Sequence, residues 1–159
     1  MNKFMNKKII IIIFFFVFFR SIPNYAEESY LVSKNVLWDG TMYEFYLTEK
    51  DLQHAPTWTK DELCPPLKPR EALEKAEQFL SDAIGQKTWT KGRKVTWELV
   101  SIRLHPFLPP SDYWIYQIEF YAIPPEYIGP VQIFTIVVLQ NGTIPQPKIS
   151  RKEGNASQE

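Results

Sequence analysis

The sequence predicts an α+β fold in which one main helix packs across a small antiparallel sheet, with a β-hairpin at the amino end. Residues 69–84 repeat apolar side chains at helical spacing. Residues 113–120 alternate strictly between two sets of side chains, which is typical of a strand with one buried face. Asp39-Gly40 and Asn141-Gly142 stand between apolar runs, where such pairs favour hairpin turns.

The first 26 residues are predicted to be a cleavable secretion signal. Lysines precede residues 9–19, which are eleven consecutive apolar residues. This order is typical of signal peptides, and a membrane-spanning helix needs a longer apolar run of about 20 residues. The small residue Ala26 marks the expected cleavage position. We therefore expect an exported protein, periplasmic or extracellular, with no stable membrane span after cleavage.

Charge and cysteine content exclude several classes of partner and of fold. The chain has 18 Lys and Arg and 18 Asp and Glu, and residues 1–26 contain four of the basic residues and no acidic one. The remaining chain is acidic, so nucleic acid and anionic membranes are not expected as main partners. The single cysteine, Cys64, permits no internal disulfide, so the fold must depend on its core. Residues 27–147 are expected to form one domain, and residues 148–159 a disordered polar tail.

After the amino-terminal hairpin, residues 54–69 are expected to form an ordered proline-rich connector. This segment has four prolines, each of which restricts the backbone and lacks an N–H donor. Trp58 and Leu67 are expected to hold the connector against the body of the domain. Pro69 then suits the first turn of the helix, and Gly85 suits its carboxyl-terminal cap.

The apolar stripe of the helix must be buried against other elements, because a helix of this length is not stable alone. The stripe consists of Ala72, Leu73, Ala76, Phe79, Leu80, Ala83 and Ile84. Three downstream strands are predicted to cover it. The first, at residues 95–104, changes phase near Leu99, which suggests a β-bulge. The second spans residues 113–120. The third, at 131–139, is apolar at nearly every position, so it is expected either to be covered on both faces or to lie centrally in the sheet.

This order of one helix, three strands, an Asn-Gly turn and a short return is similar to the PepSY-like arrangement of small exported bacterial domains. The likeness lies in the alanine-rich helix at 70–76, the strand at 114–118 and the strand and turn at 136–144. Lys68 departs from the pattern, since a Ser, Thr or Asp cap is expected before Pro69. The resemblance implies an inhibitory, regulatory or binding module of the cell envelope, and no catalytic activity.

Reactive residues are sparse, and no enzyme, metal or cofactor is expected. Cys64 with His54 or His105 could in principle supply a nucleophile and its base, but no nucleophile motif surrounds Cys64. A small buried thiol is the expected role of this cysteine. The two histidines lack the spacing of a zinc site, and no serine has the flanking glycines of a nucleophile elbow.

The candidate contact surface is one face of the second predicted strand. Tyr113, Ile115, Gln117 and Tyr121 alternate with the apolar residues that should face the core. They either bind a partner or pack beneath the amino-terminal hairpin. The leading hypothesis is a non-catalytic module that binds another envelope or secreted protein. The alternative is a glycan or small-ligand binder that uses exposed aromatic residues.

Overall fold

The computed structural model of the protein describes residues 28–84, 88–89, 93–108, 112–123 and 129–151. The predicted signal peptide, the Gly85 cap and the tail from residue 152 lie outside these ranges. In chain order the elements are β1 (Ser29–Val36), β2 (Thr41–Thr48), α1 (Glu49–Gln53), α2 (Pro69–Phe79), a π-helical turn (Leu80–Ile84), β3 (Thr88–Trp89), β4 (Arg93–Lys94), β5 (Thr96–Pro106), β6 (Trp114–Ile123), β7 (Gln132–Leu139) and β8 (Lys148–Arg151). No helix in the described ranges has the length and apolar character needed to cross a bilayer.

The strands form antiparallel sheets, so the predicted α+β class with one main helix is confirmed. One sheet has the order β1-β2-β8 and another the order β5-β6-β7, while β3 and β4 make a two-stranded ribbon. The predicted amino-terminal hairpin is present as β1 and β2, but the prediction of a single sheet is wrong. The amino-terminal hairpin gains β8 as a third strand and becomes a sheet of its own.

The strand β8 also corrects the prediction of a disordered tail from residue 148. Its residues pair with β2, with Lys148 opposite Glu44 and Ile149 opposite Tyr43. A polar sequence can form an edge strand because the ladder is made by backbone groups, whatever the side chains. The Glu44 carboxylate also forms a 2.9 Å ion pair with Lys34. The hydrogen bond from Lys34 is the main cause that lowers the pKa of Glu44, and Lys148 adds to it.

The two main sheets meet where β1 lies beside β7. Asn35 bridges them, since its Oδ1 accepts the Thr135 backbone N–H at 2.7 Å and its Nδ2 donates to the Thr135 carbonyl at 2.9 Å. The Ser33 hydroxyl donates to the same carbonyl at 3.0 Å. One buried amide side chain thus replaces the backbone ladder between the sheets.

The predicted Asp39-Gly40 turn joins β1 to β2, so this hairpin is confirmed. The Asn141-Gly142 turn is also present, but residues 143–147 form no strand, so the predicted short return strand is wrong. Both turns contain a glycine with positive φ. Gly40 has φ 74° and Gly142 has φ 80°. In the first loop the Leu37 N–H donates to the Thr41 carbonyl at 2.8 Å, and the Gly40 N–H donates to the Leu37 carbonyl at 2.9 Å. These bonds define a three-residue loop whose last residue is left-handed, which favours glycine.

The predicted helix over 69–84 is confirmed, as α2 followed by the π-helical turn. The missing cap at Lys68 is partly replaced, because the Glu71 carboxylate accepts the Lys68 backbone N–H at 3.3 Å. Within the predicted stripe, Ala72 and Ala76 are fully buried. Ala83 is exposed, contrary to the prediction, because the wider π-helical turn rotates it away from the sheet.

The main core lies between α2 and one side of the two sheets. Phe134 of β7 is at its centre and makes edge-to-face contacts with three rings, those of Tyr43, Phe45 and Trp97. The other buried members of this core are Leu37, Ala72, Ala76, Leu80, Ile84, Tyr116, Ile118, Phe120, Ile136 and Val138. Helix, first sheet and second sheet therefore share one core.

The connector is held to the body by Trp58 and Leu67, as the sequence predicts. The backbone N–H of Trp58 donates to the Asp112 carbonyl at 3.0 Å, and the Trp58 ring lies 4.9 Å from the ring of Trp114. The Leu67 carbonyl accepts the Tyr116 hydroxyl at 2.7 Å, and the Leu67 N–H donates to the side chain of Gln140. Both anchors are residues of the connector that contact later elements.

The Tyr116 hydroxyl is expected to make the fold less stable at alkaline pH. Burial, with a smaller effect from Glu71, raises the pKa of Tyr116 above its ordinary value. A group whose pKa is raised by folding stabilises the fold fully at pH values below its pKa in the unfolded chain, which is about 10 for tyrosine. This contribution is lost as the pH rises through the pKa of the group in the folded protein. Near neutral pH, Tyr116→Phe should lower the free energy of unfolding by about 1 kcal/mol, because a buried hydrogen bond is lost.

Urea unfolding of both proteins across alkaline pH tests this expectation. The stability difference between the native protein and Tyr116→Phe should shrink above about pH 10. The reason is that only the native protein has a phenol at position 116 that must stay protonated in the folded state. A difference that stays constant with pH would contradict the assignment.

Candidate functional site

The candidate site lies on the open face, which is the side of the β5-β6-β7 sheet turned away from α2. Tyr116, Ile118 and Phe120 of β6 point into the main core, so the alternating residues of β6 point the other way. Strand register places the neighbours of β5 and β7 on the same side. The open face comprises Glu98, Ser101, Arg103 and His105 of β5, Ile115, Gln117, Glu119 and Tyr121 of β6, and Ile133, Thr135, Val137 and Leu139 of β7.

One end of the open face is covered by the amino-terminal part of the chain. Ile115 is only 3% exposed and belongs to a second core cluster with Leu47, Ala55, Phe107, Val137 and Leu139. Tyr30, Leu52 and Tyr113 pack against the rim of this cluster and are partly buried. Ile115 is therefore excluded from any accessible surface, and Tyr113 serves packing beneath the hairpin.

The other end of the open face is accessible and apolar. Tyr121 is 38% exposed, and Ile133, its direct neighbour across the strand pair, is 51% exposed. Val131 is also exposed, two residues before Ile133. On the other side of Tyr121, β5 places the exposed Glu98. Two adjacent apolar side chains thus stand on a rigid sheet, next to a carboxylate.

A polar cluster occupies the middle of the open face and centres on Glu119. The Glu119 carboxylate accepts hydrogen bonds from the Ser101 hydroxyl at 2.9 Å and from the Gln117 amide at 3.2 Å. It also forms an ion pair with the Arg103 guanidinium. The Glu119 side chain is 16% exposed and that of Arg103 is 57% exposed. The carboxylate is therefore satisfied inside the protein, while Arg103 still has donors that face solvent.

This arrangement is suited to recognition. An arginine held by a carboxylate presents planar N–H donors in a fixed direction, which suits a carboxylate or a backbone carbonyl of a bound molecule. Tyr121 and Ile133 add apolar contact area beside it. Of the four predicted residues the structure brings Gln117 and Tyr121 to this surface. The sequence interpretation missed Arg103 and Ile133, which only the strand register connects to Tyr121.

Of the residues weighed for catalysis, His105 lies on the open face two residues after Arg103, whereas Cys64 and His54 belong to the connector. Cys64 is exposed, so the expectation of a buried thiol is wrong. The reason is that Cys64 lies in the proline-rich connector, which runs over the surface. The His54 Nδ1 lies 2.7 Å from the Lys50 carbonyl, and the His105 Nδ1 lies 3.2 Å from the Pro106 carbonyl. Within the described ranges no group of three or more His, Cys, Asp or Glu is placed to hold a metal ion.

A second aromatic feature is the Trp58–Trp114 pair. The rings are 4.9 Å apart and 75° from parallel, and the Lys60 ammonium lies 5.7 Å from the centroid of Trp114. Both tryptophans are partly buried. Edge-to-face packing and the cation over the ring both stabilise the connector on the body of the domain.

Comparison of the chain with protein-family models, with curated proteins and with solved structures finds no match in any of the three. The function is therefore inferred from the chemistry of the open face and from the sequence pattern.

Proposed function

We propose that this protein is an exported, non-catalytic binding or regulatory module that contacts another envelope or secreted protein through the accessible end of its open face. The observation that carries the proposal is the exposed pair Tyr121 and Ile133 next to the Arg103–Glu119 ion pair. Aromatic and arginine side chains are enriched at the centres of protein interfaces, where they supply most of the binding energy.

The sequence pattern supports the same proposal. The order of basic and apolar residues before residue 27 is typical of an export signal, and the pattern from residue 69 to 144 resembles PepSY-like modules. A sheet surface suits this role because its side chains are held by the register of three strands. Little backbone conformational entropy is lost when such a surface binds.

Tyr121→Ser combined with Ile133→Ser tests the proposal. The full chain should retain at least one envelope or secreted protein reproducibly from a cell extract. The double variant should retain at least about tenfold less of that protein, because the apolar centre of the contact is removed. The proteins retained are measured by quantitative mass spectrometry on matched amounts of folded bait.

Leu63→Ser is the matched control, since Leu63 is fully exposed at 102% on the connector and far in sequence from the open face. It removes a similar apolar side chain and should leave retention unchanged. The proposal fails if the native chain retains no protein reproducibly, or if the control loses as much as the double variant.

The second candidate function is the binding of a glycan or small ligand, and the partly exposed Trp58–Trp114 pair favours it. A sugar ring that stacks on either tryptophan would change the intrinsic fluorescence. Titration with cell-wall fragments separates the two functions. An unchanged spectrum at millimolar sugar removes the glycan candidate, and a saturable change that Trp58→Ala abolishes supports it.

A further inference from the structure

Within the described ranges, one edge of β5 has no partner strand. This strand is eleven residues long, and it pairs with β6 along one edge only among the described strands. Leu99 and Val100 on it are 46% and 37% exposed. A long edge strand with exposed apolar side chains can add another strand to its sheet, and proteins commonly block such pairing.

The β-bulge between Leu99 and Ser101 gives β5 an unusual symmetry. Before the bulge, Trp97 and Leu99 lie on the α2 side, opposite Ala122 and Phe120. In a regular strand, Ser101 would be the next residue on this side, because side chains alternate. The bulge shifts the alternation by one residue, so even-numbered residues occupy this side afterwards. Those residues are Ile102 and Leu104, opposite Ile118 and Tyr116.

As a result, β5 matches itself when a second β5 runs antiparallel to it with Val100 opposite Ser101. In this register every pair away from the bulge has both side chains on the same side of the sheet. Glu98 lies opposite Arg103, a pair of opposite charges, and Leu99 lies opposite Ile102. The remaining pairs are Thr96 with His105 and Trp97 with Leu104.

From this match we propose that the β5 edge is a dimerisation surface and that its occupant is a second copy of this chain. The two-fold axis passes between the two bulges, and the three-stranded sheets join into one continuous sheet of six strands. Each Arg103 then bridges Glu119 of its own copy and Glu98 of the second copy. Cross-strand pairs of opposite charge and of apolar side chains are the ones that stabilise antiparallel sheets.

Competing registers of the same edge are disfavoured by charge. A register centred on Arg103 places the two Arg103 side chains opposite each other, and a register centred on Glu98 does the same for the two carboxylates. Like charges directly opposite in a sheet are destabilising. Both registers also use only one half of the strand, on one side of the bulge. The match centred at the bulge uses both halves.

Sedimentation of the full chain over a wide concentration range tests the dimer. A monomer–dimer equilibrium is expected. Glu98→Arg should weaken dimerisation by about tenfold or more, because it places a positive charge opposite Arg103 in each of the two symmetric pairs. Arg103→Glu should weaken it similarly. An equal mixture of the two variants should form heterodimers, because each mixed pair again joins opposite charges.

Glu77→Arg is the control, since it makes the same change of charge at an exposed position of α2, away from the β5 edge. It should leave the dimerisation constant unchanged. Leu99→Lys is a second variant that should weaken the dimer, and it leaves the Arg103–Glu119 ion pair intact. It is the variant to compare with Glu98→Arg if circular dichroism shows that Arg103→Glu does not fold.

A chain that stays monomeric at every concentration overturns the proposal, as does a dimer that neither Glu98→Arg nor Leu99→Lys weakens. The dimer can be distinguished from the protein partner of the open face, although both use Arg103. Tyr121→Ser with Ile133→Ser should leave the dimer intact, because these two residues lie on β6 and β7 and not on β5.

Discussion

Replacing Phe134 with alanine is expected to lower the free energy of unfolding by about 3–5 kcal/mol, which is a large part of the stability of a single domain. Phe134 is 1% exposed. Its ring lies 5.4 Å from that of Tyr43, 6.4 Å from that of Phe45 and 5.5 Å from that of Trp97. Alanine would leave a cavity beneath α2 and would remove all three edge-to-face contacts.

The effect should be cooperative, because the partners of Phe134 belong to different elements. Tyr43 and Phe45 come from β2, Trp97 from β5, and Phe134 itself from β7. Urea unfolding followed by tryptophan fluorescence and by circular dichroism should therefore give coincident transitions, both shifted to lower urea.

Ile133→Ala is the matched control for this prediction. Ile133 is the preceding residue of the same strand, but it lies on the open face and is 51% exposed. Its replacement should change the free energy of unfolding by about 0.5 kcal/mol or less. Equal destabilisation by the two alanine variants would contradict the burial of Phe134 that the core requires.

Local patterns in the sequence predict the elements of the fold well. The helical spacing of Ala72, Ala76 and Leu80 locates α2, and the strict alternation around Tyr116 and Ile118 locates β6, because one face of each is buried. The bulge in β5 is also visible as a change of phase near Leu99. These features depend on neighbours in sequence, so one chain is enough to recognise them.

The assembly of the elements depends on long-range pairing and is not visible in the same way. Polar side chains give Lys148–Arg151 no strand signal, and β8 forms because the free edge of β2 offers backbone partners. Thr48 and Asp51 do carry a readable signal. Their reciprocal hydrogen bonds of 2.9 and 3.2 Å form a capping box that starts α1, a helix that the sequence interpretation missed.

The same distinction explains the candidate site. Alternation along β6 is sufficient to place Gln117 and Tyr121 on one face. It does not reveal that the amino-terminal hairpin covers Ile115, which requires the packing of the two sheets. Nor does it connect Ile133 with Tyr121, which requires the register of β7. The site is therefore half visible in the sequence, and the hidden half comes from neighbouring strands.

The joint between the two sheets yields the second large prediction, which concerns Asn35. Asn35→Ala should lower the free energy of unfolding by about 2–3 kcal/mol, because the part-buried Thr135 N–H loses its acceptor and the Thr135 carbonyl loses one of its two donors. Ser33→Ala is the control, and about 1 kcal/mol is expected for it, since the carbonyl then keeps the Asn35 amide.

Hydrogen exchange of the Thr135 amide separates this local cause from a general loss of packing. In the native protein this N–H donates to Asn35 Oδ1 at 2.7 Å and should exchange slowly. In Asn35→Ala the Thr135 amide should lose more protection than amides of the β6–β7 ladder, whose backbone partners remain. If instead all amides lose protection equally, or the Thr135 amide keeps its native rate, Asn35 does not join the sheets. The open face would then owe its shape to the shared core around Phe134, since that core is the other contact that holds β1 and β2 against β7.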